Sequence, residues 1–104
     1  MSPTPPQPTA PQTPSGAGTV TVRYWASARA AASVDHDDVE VDAPVTLADL
    51  IVRVVAEHPG SRLAEVLGVC SVLVGDRPVG TADPATVLVA AGDSVEFLPP
   101  FAGG

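Results

Sequence analysis

The sequence predicts an α+β domain in which a mixed sheet packs on one main helix, and three observations carry that reading. Apolar and polar residues alternate from Thr19 and again near the C-terminus, the period-two signature of half-buried strands. Between them, Leu47 to Val55 carries apolar residues at helical spacing. The composition also divides at residue 18. The first eighteen positions hold half of the twelve prolines and no charged side chain, whereas every Val, Leu, Ile, Phe, Arg, Asp and Glu lies in 19–104. Residues 1–18 therefore read as a disordered Pro-rich extension and residues 19–104 as one domain.

Taken in order, Val20, Val22 and Tyr24 alternate with Thr21, Arg23 and Trp25, which makes a first strand facing the core with its even positions. Ala26 to Ser33 is a small-residue stretch without apolar periodicity, and Asp35, Asp37 and Asp38 read as an acidic turn. Val39 and Val41, alternating with Glu40 and Asp42, give a second strand that forms a hairpin with the first and is closed by Pro44. Thr46 followed by Asp49 is a helix N-terminus, with an acid in the first turn to complement the dipole. Leu47, Leu50, Ile51, Val54 and Val55 then form one apolar face until Pro59-Gly60 stops the helix. Leu63 to Leu67 adds one more turn. Cys70 to Val74 is a β-branched run before the Gly75-Asp76 turn, and Val87 to Val89 a short strand before Gly92-Asp93. Val95 and Phe97, alternating with Glu96 and Leu98, form the last strand, which Pro99-Pro100 terminates. This β-β-α-β-β order with one amphipathic helix fits a ubiquitin-like β-grasp fold carrying a mobile arm over 98–104.

Charge and size exclude several functions. The net charge of −7 and the absence of lysine argue against nucleic acid, which needs clustered cations. A protein partner with a basic face suits the chain better. The single Cys70 makes no internal disulfide and has no second thiol for a metal site, which fits a reducing, cytoplasmic setting. No apolar run approaches the roughly 18 residues of a membrane span, and the N-terminus lacks a secretory signal. A domain this small buries only about 60% of its unfolded surface, which leaves little room for a deep catalytic pocket.

Conventional catalytic groups are correspondingly weak. His36 lies in the acidic turn, His58 reads as a cation near a helix C-terminus, and Cys70 as a small buried hydrophobe. Asp37-Asp38 reads as a solvated turn. The end of the chain differs. Pro99 and Pro100 prevent ladder hydrogen bonds and hold the departing backbone extended. Six residues at ~3.3–3.6 Å each reach roughly 20 Å from the domain. Gly103 and Gly104, lacking Cβ, let the backbone thread a narrow channel in another protein. The reactive group is then the α-carboxylate of Gly104, with Pro99, Pro100, Phe101, Ala102 and Gly103 as the arm that delivers it. Such a carboxylate is inert until activated, for example as an acyl-adenylate.

The run Gly92-Asp93, Val95, Phe97, Pro99-Pro100, Phe101 and Gly103-Gly104 resembles the C-terminal signature of the MoaD family, the small sulfur-carrier subunit of molybdopterin synthase. Softer matches at Val22-Arg23-Tyr24-Trp25-Ala26, Thr46-Leu47-Ala48-Asp49-Leu50 and Cys70 to Val74 extend the likeness over residues 19–104. The resemblance implies that an E1-like adenylyltransferase uses ATP and magnesium to adenylate Gly104. A sulfur donor protein then converts it to a thiocarboxylate. The arm enters the large catalytic subunit and gives its sulfur to cyclic pyranopterin monophosphate. The chain itself binds no cofactor and no metal in this scheme.

Alternation also places a docking face. With Tyr24, Val95 and Phe97 turned to the helix, Trp25 and Leu98 point outward beside the arm, as a partner-binding patch or as a cover for a secondary core. Two other functions share these features. Carriers for thiamine thiazole and for cysteine synthesis have the same fold and Gly-Gly end, and a β-grasp protein modifier would form amides through its C-terminus.

Overall fold

Strand β1 (Gly18–Tyr24) forms because Val20, Val22 and Tyr24 are all buried while the residues between them reach solvent or the sheet surface. The computed structural model describes residues 17–100. After β1 come α1 (Ala26–Ala32), β2 (His36–Val41), β3 (Val45–Thr46), α2 (Leu47–Ala56), α3 (Leu63–Leu67), β4 (Ser71–Val74) and β5 (Arg77–Pro78). A 3₁₀ turn (Pro84–Thr86), β6 (Leu88–Val89) and β7 (Ser94–Leu98) complete the described chain. The main sheet has the order β2-β1-β7-β4-β5; β1 and β7 run parallel at its centre and every other pair is antiparallel. β3 and β6 pair separately beside the start of α2. This is the β-grasp arrangement, a mixed sheet holding helix α2.

α2 is the element most completely specified by sequence. Thr46 Oγ1 accepts from the backbone N–H of Asp49 at 3.0 Å, and Arg53 reaches back to Asp49 at 3.0 Å one turn later. Leu47, Leu50 and Val54 are fully buried, with Ile51 and Val55 packed at the margin. Against them lie Val20, Val22, Val95 and Phe97 of the sheet, each without solvent exposure. At about 1.5–3 kcal/mol per buried aliphatic or phenyl side chain, this one layer is the main source of stability.

Three details of the expected chain need correction. Ala26 to Ser33, read only as a small-residue stretch, contains helix α1, which joins the short α3 beside the main helix α2. Alanine is the best helix former, and Ala28 and Ala32, one turn apart, are buried against the domain. Their small side chains gave no hydrophobic contrast to read. The expected antiparallel pairing of β1 with β2 is present, with α1 in the connection between them. The strand β2 begins at His36, which draws Asp37 and Asp38 out of the supposed acidic turn and into the ladder opposite Val22 and Thr21. At the N-terminal side, β1 starts at Gly18, whose partner is Val41. A Cβ there would stand 2.8 Å from that of Ala91, so only glycine permits this approach. The remainder of the Pro-rich extension, residues 1–16, lies outside the described residues.

Because β2 starts early, Asp37 faces inward and joins a polar contact that sequence spacing had hidden. Its Oδ2 accepts from the Tyr24 hydroxyl at 2.7 Å, and His58 Nε2 lies 2.6 Å from the same atom. The His58 ring stands edge-on to Tyr24, which stacks in turn on Phe97. His58, expected as a cation near the C-terminus of α2, ties that end to β1 and β2 through Tyr24 and Asp37. Burial, and then the hydrogen bond to Asp37, push the Tyr24 hydroxyl above the ordinary tyrosine range.

Two outcomes follow. Thr46→Ala is expected to cost about 1 kcal/mol and lower the thermal midpoint by roughly 4–8 °C, with Thr46→Ser retaining most of it. As the chain has a single tyrosine, an absorbance titration reads Tyr24 directly. Its folded value lies above the unfolded one, so the stabilisation is complete below about pH 10 and declines as pH rises further. Tyr24→Phe is expected to flatten this alkaline loss; a normal titration in the folded protein would contradict the assignment.

Candidate functional site

Parallel pairing brings the C-terminal ends of β1 and β7 to the same side of the sheet, with Tyr24 opposite Phe97. Immediately beyond, the Trp25 N–H donates to the Phe97 carbonyl at 3.2 Å. Trp25 keeps extended geometry (φ −117°, ψ 151°), so it continues the alternation of β1 and turns outward. Ala26 then reverses the chain into α1 at φ 49°, a left-handed value uncommon outside glycine. Trp25 is 48% exposed, and its Nε1–H donates to Glu96 Oε1 at 2.9 Å across the outer surface. The residue is thus held at the sheet edge of a turn without being part of the core.

Leu98, half-buried, closes β7 opposite Ser71 of β4. Since Val72 and Val74 pair with the inward-facing Phe97 and Val95, Leu73 faces out with Leu98, opposite Glu96. Leu73 went unremarked in the sequence, because Val72, Leu73 and Val74 are all apolar and the pairing with β7 decides which of them faces out. Trp25, Leu73 and Leu98 therefore share the open face of the sheet, around Glu96.

The segment expected as an arm over 98–104 starts later. Leu98 is ladder-paired, Pro99 is buried against the domain, and Pro100 is the first exposed residue after the strand. Phe101, Ala102, Gly103 and Gly104 lie outside the described residues. The root of the segment is set by β7 and the buried Pro99. It leaves the middle of the sheet, between β1 and β4, next to the open face.

The other candidates stand apart from this surface. Cys70 precedes β4, its Sγ–H directed at the Val66 carbonyl at 3.2 Å, and burial pushes the thiol up to about 11. A thiol so protonated is a poor nucleophile at neutral pH. His36 is exposed, 3.9 Å from Asp38. Among the described residues no group of three or more His, Cys, Asp or Glu side chains is arranged to hold a metal ion. None of their helices is long and apolar enough to cross a membrane.

Known proteins share this architecture. The chain is similar to small archaeal modifier protein 1 of Haloferax volcanii, with 26% identity over 84% of this chain and 100% of that one, at a TM-score of 0.69. It is similar to subunit 1 in the complex of subunits 1 and 2 of molybdopterin-converting factor from Helicobacter pylori: 26% identity, 83% and 99% coverage, TM-score 0.56. A putative molybdopterin converting factor subunit 1 of Pyrococcus furiosus shares the fold at 24% identity, 81% and 99% coverage and a TM-score of 0.65. No curated protein matches the sequence. The ThiS family model matches residues 22–104, from the middle of β1 through the Gly-Gly ending. The chain belongs to the ThiS family, within the MoaD/ThiS group of ubiquitin-like β-grasp proteins that comprises sulfur carriers and modifiers of this fold.

Proposed function

We propose that the protein is a sulfur carrier of molybdenum cofactor biosynthesis, acting through the α-carboxylate of Gly104. The family match running through Pro99-Pro100-Phe101-Ala102-Gly103-Gly104 supports a carrier acting through its end, and the likeness to a molybdopterin-converting-factor subunit favours the molybdenum branch. In the proposed cycle an E1-like adenylyltransferase joins the Gly104 carboxylate to the α-phosphate of ATP, with magnesium, and releases pyrophosphate. A hydrosulfide equivalent from a sulfur donor protein attacks the acyl carbon and expels AMP, leaving the thiocarboxylate. The large subunit of molybdopterin synthase then accepts the arm, and the sulfur passes to cyclic pyranopterin monophosphate. Hydrolysis of the remaining acyl bond returns the carboxylate.

This chain's part is delivery. Pro99 anchors the root, and five residues beyond it reach at most roughly 17 Å when extended. Glycine at 103 and 104 keeps the tip slim enough for a channel. Trp25 and Leu98, with Leu73 beside them, form the surface that docks next to that channel. The likeness to a subunit found in complex with its subunit 2 supports a large-subunit partner of this kind. A second reading, conjugation of Gly104 to amines of other proteins, is favoured by the likeness to the archaeal modifier. Lacking lysine, the chain would not form lysine-linked chains of itself.

Co-expression with an E1-like activating enzyme and a sulfur donor is expected to give, at Gly104, the mass change of one oxygen replaced by sulfur. Deleting Gly103 and Gly104 should abolish cofactor synthesis. An unmodified C-terminus with full pathway function in the truncated form would sink the proposal. Recovery of a thiazole synthase by the thiocarboxylate form would reassign the pathway, and isopeptide-linked targets would favour the modifier. Trp25→Ala is expected to weaken large-subunit binding at least tenfold, about 1.4 kcal/mol, while changing stability by no more than about 0.5 kcal/mol. A large fall in thermal midpoint would instead place Trp25 in the fold's support.

A further inference from the structure

The two ends of the main sheet are unlike. β5 spans only Arg77–Pro78, and its proline interrupts any further ladder. β2 spans His36–Val41, and among the described residues no strand pairs with its outer edge. The phase of the ladder shows which groups that edge offers. Tyr24 donates to the Asp35 carbonyl, and in this register Asp37, Val39 and Val41 turn their backbone groups to β1. The N–H and C=O of His36, Asp38 and Glu40 therefore point away from the sheet. Beside them a groove of about 390 Å³ runs between β2 and α2, lined by Asp37, Asp38, Val39, Glu40, Arg53, Ala56 and Glu57.

Two observations say what would fit. First, one edge carbonyl already recruits a guanidinium: Arg53 Nη1–H donates to the Glu40 oxygen at 3.3 Å. Second, acids outnumber cations around the groove. Asp38 and Glu40 stand on the outer surface of β2, and Glu57 closes the groove from α2. Opposing them are Arg53, itself paired with Asp49, and two histidines, His36 near Asp38 and His58 on Asp37. A second copy of this edge would set acid opposite acid, and nucleic acid would be repelled. Between the acids, Val39 and Ala56 supply an apolar floor.

We propose that the free edge of β2 is a second docking site, which takes an extended protein segment of alternating cationic and apolar residues as an added strand. Cationic side chains of the segment lie over Asp38 and Glu40 on the outer surface, and the apolar ones turn to Val39 and Ala56. Main-chain hydrogen bonds to residues 36 and 38 and to the N–H of Glu40, whose carbonyl Arg53 already holds, provide register. β1 separates this edge from β7 and the arm root, so the site is independent of the chemistry at Gly104.

The test uses the full chain, isotope-labelled, titrated with the capped hexapeptide Arg-Val-Arg-Val-Arg-Val and followed by amide chemical shifts. Shifts are expected at Asp38, Glu40 and Ala56, with affinity falling as salt is raised. Methylating alternate backbone nitrogens of the peptide should weaken binding at least tenfold. So should Glu40→Pro, which removes an outward N–H while sparing the ladder to β1. Should that variant fail to fold, the Asp38→Asn, Glu40→Gln double variant is expected to weaken binding at least fivefold. Equal affinity for the methylated peptide, or shifts centred on Trp25 and Leu98, would overturn the proposal. Thiocarboxylate formation at Gly104 tests the carrier reading separately, and neither result decides the other.

Discussion

The parallel pairing of β1 with β7 is the constraint on which the rest depends. A parallel pair cannot be closed by a turn, so the whole intervening chain must cross over the sheet and return. That crossover contains α2, whose apolar face lands on Val20, Val22, Val95 and Phe97 and fills the core. It also sends both strands out at the same side, which is why Trp25 hydrogen-bonds to the last residue but one of β7 and stands beside the root of the C-terminal segment. Tyr24 over Phe97 extends this seam into the polar contact with Asp37 and His58.

Where side chains differ sharply in polarity, the fold was legible. Leu47 to Val55 announced α2 by period, and Thr46 with Asp49 marked its first turn to the residue. Val20, Val22, Tyr24, Val95 and Phe97 identified the buried face of the central strands before any pairing was known. Legibility failed where polarity was flat or misleading. In α1 the buried and exposed positions are both largely alanine, so period could not show, and propensity was the remaining signal. His36-Asp37-Asp38 looked like a turn because acids are poor strand formers. Pairing with Thr21 and Val22, together with Tyr24 and His58 as partners for Asp37, outweighs that preference.

The proposed site was readable to a similar degree and for the same reason. Alternation alone turned Trp25 and Leu98 outward, and the structure places Trp25 on the open face and leaves Leu98 half-buried there. What alternation does not contain is which strands lie side by side. Leu73 joins the patch because β4 pairs with β7, and the groove at β2 exists because that strand ends the sheet, both long-range facts. Pro99 is the opposite case. Its sequence suggests departure, yet the residue is still packed against the domain, and Pro100 is the first exposed position after the strand.

A slim carrier end imposes an energetic condition on the surfaces around it. A partner that holds residues 101–104 extended in a channel must fix four backbones, at about 1–2 kcal/mol each, and two of them are glycines with no side chain to bury. Phe101 can offset part of this through its ring. In the proposed role the remainder has to come from contact outside the channel, and Pro99, packed against the domain, fixes where the chain leaves beside the open face. Too strong a hold would be equally harmful in the proposed cycle, in which the carrier leaves after each transfer. In the proposed role, a small patch of Trp25, Leu73 and Leu98 around Glu96 would meet both demands, with the exposed Trp25 standing beside the end of β7.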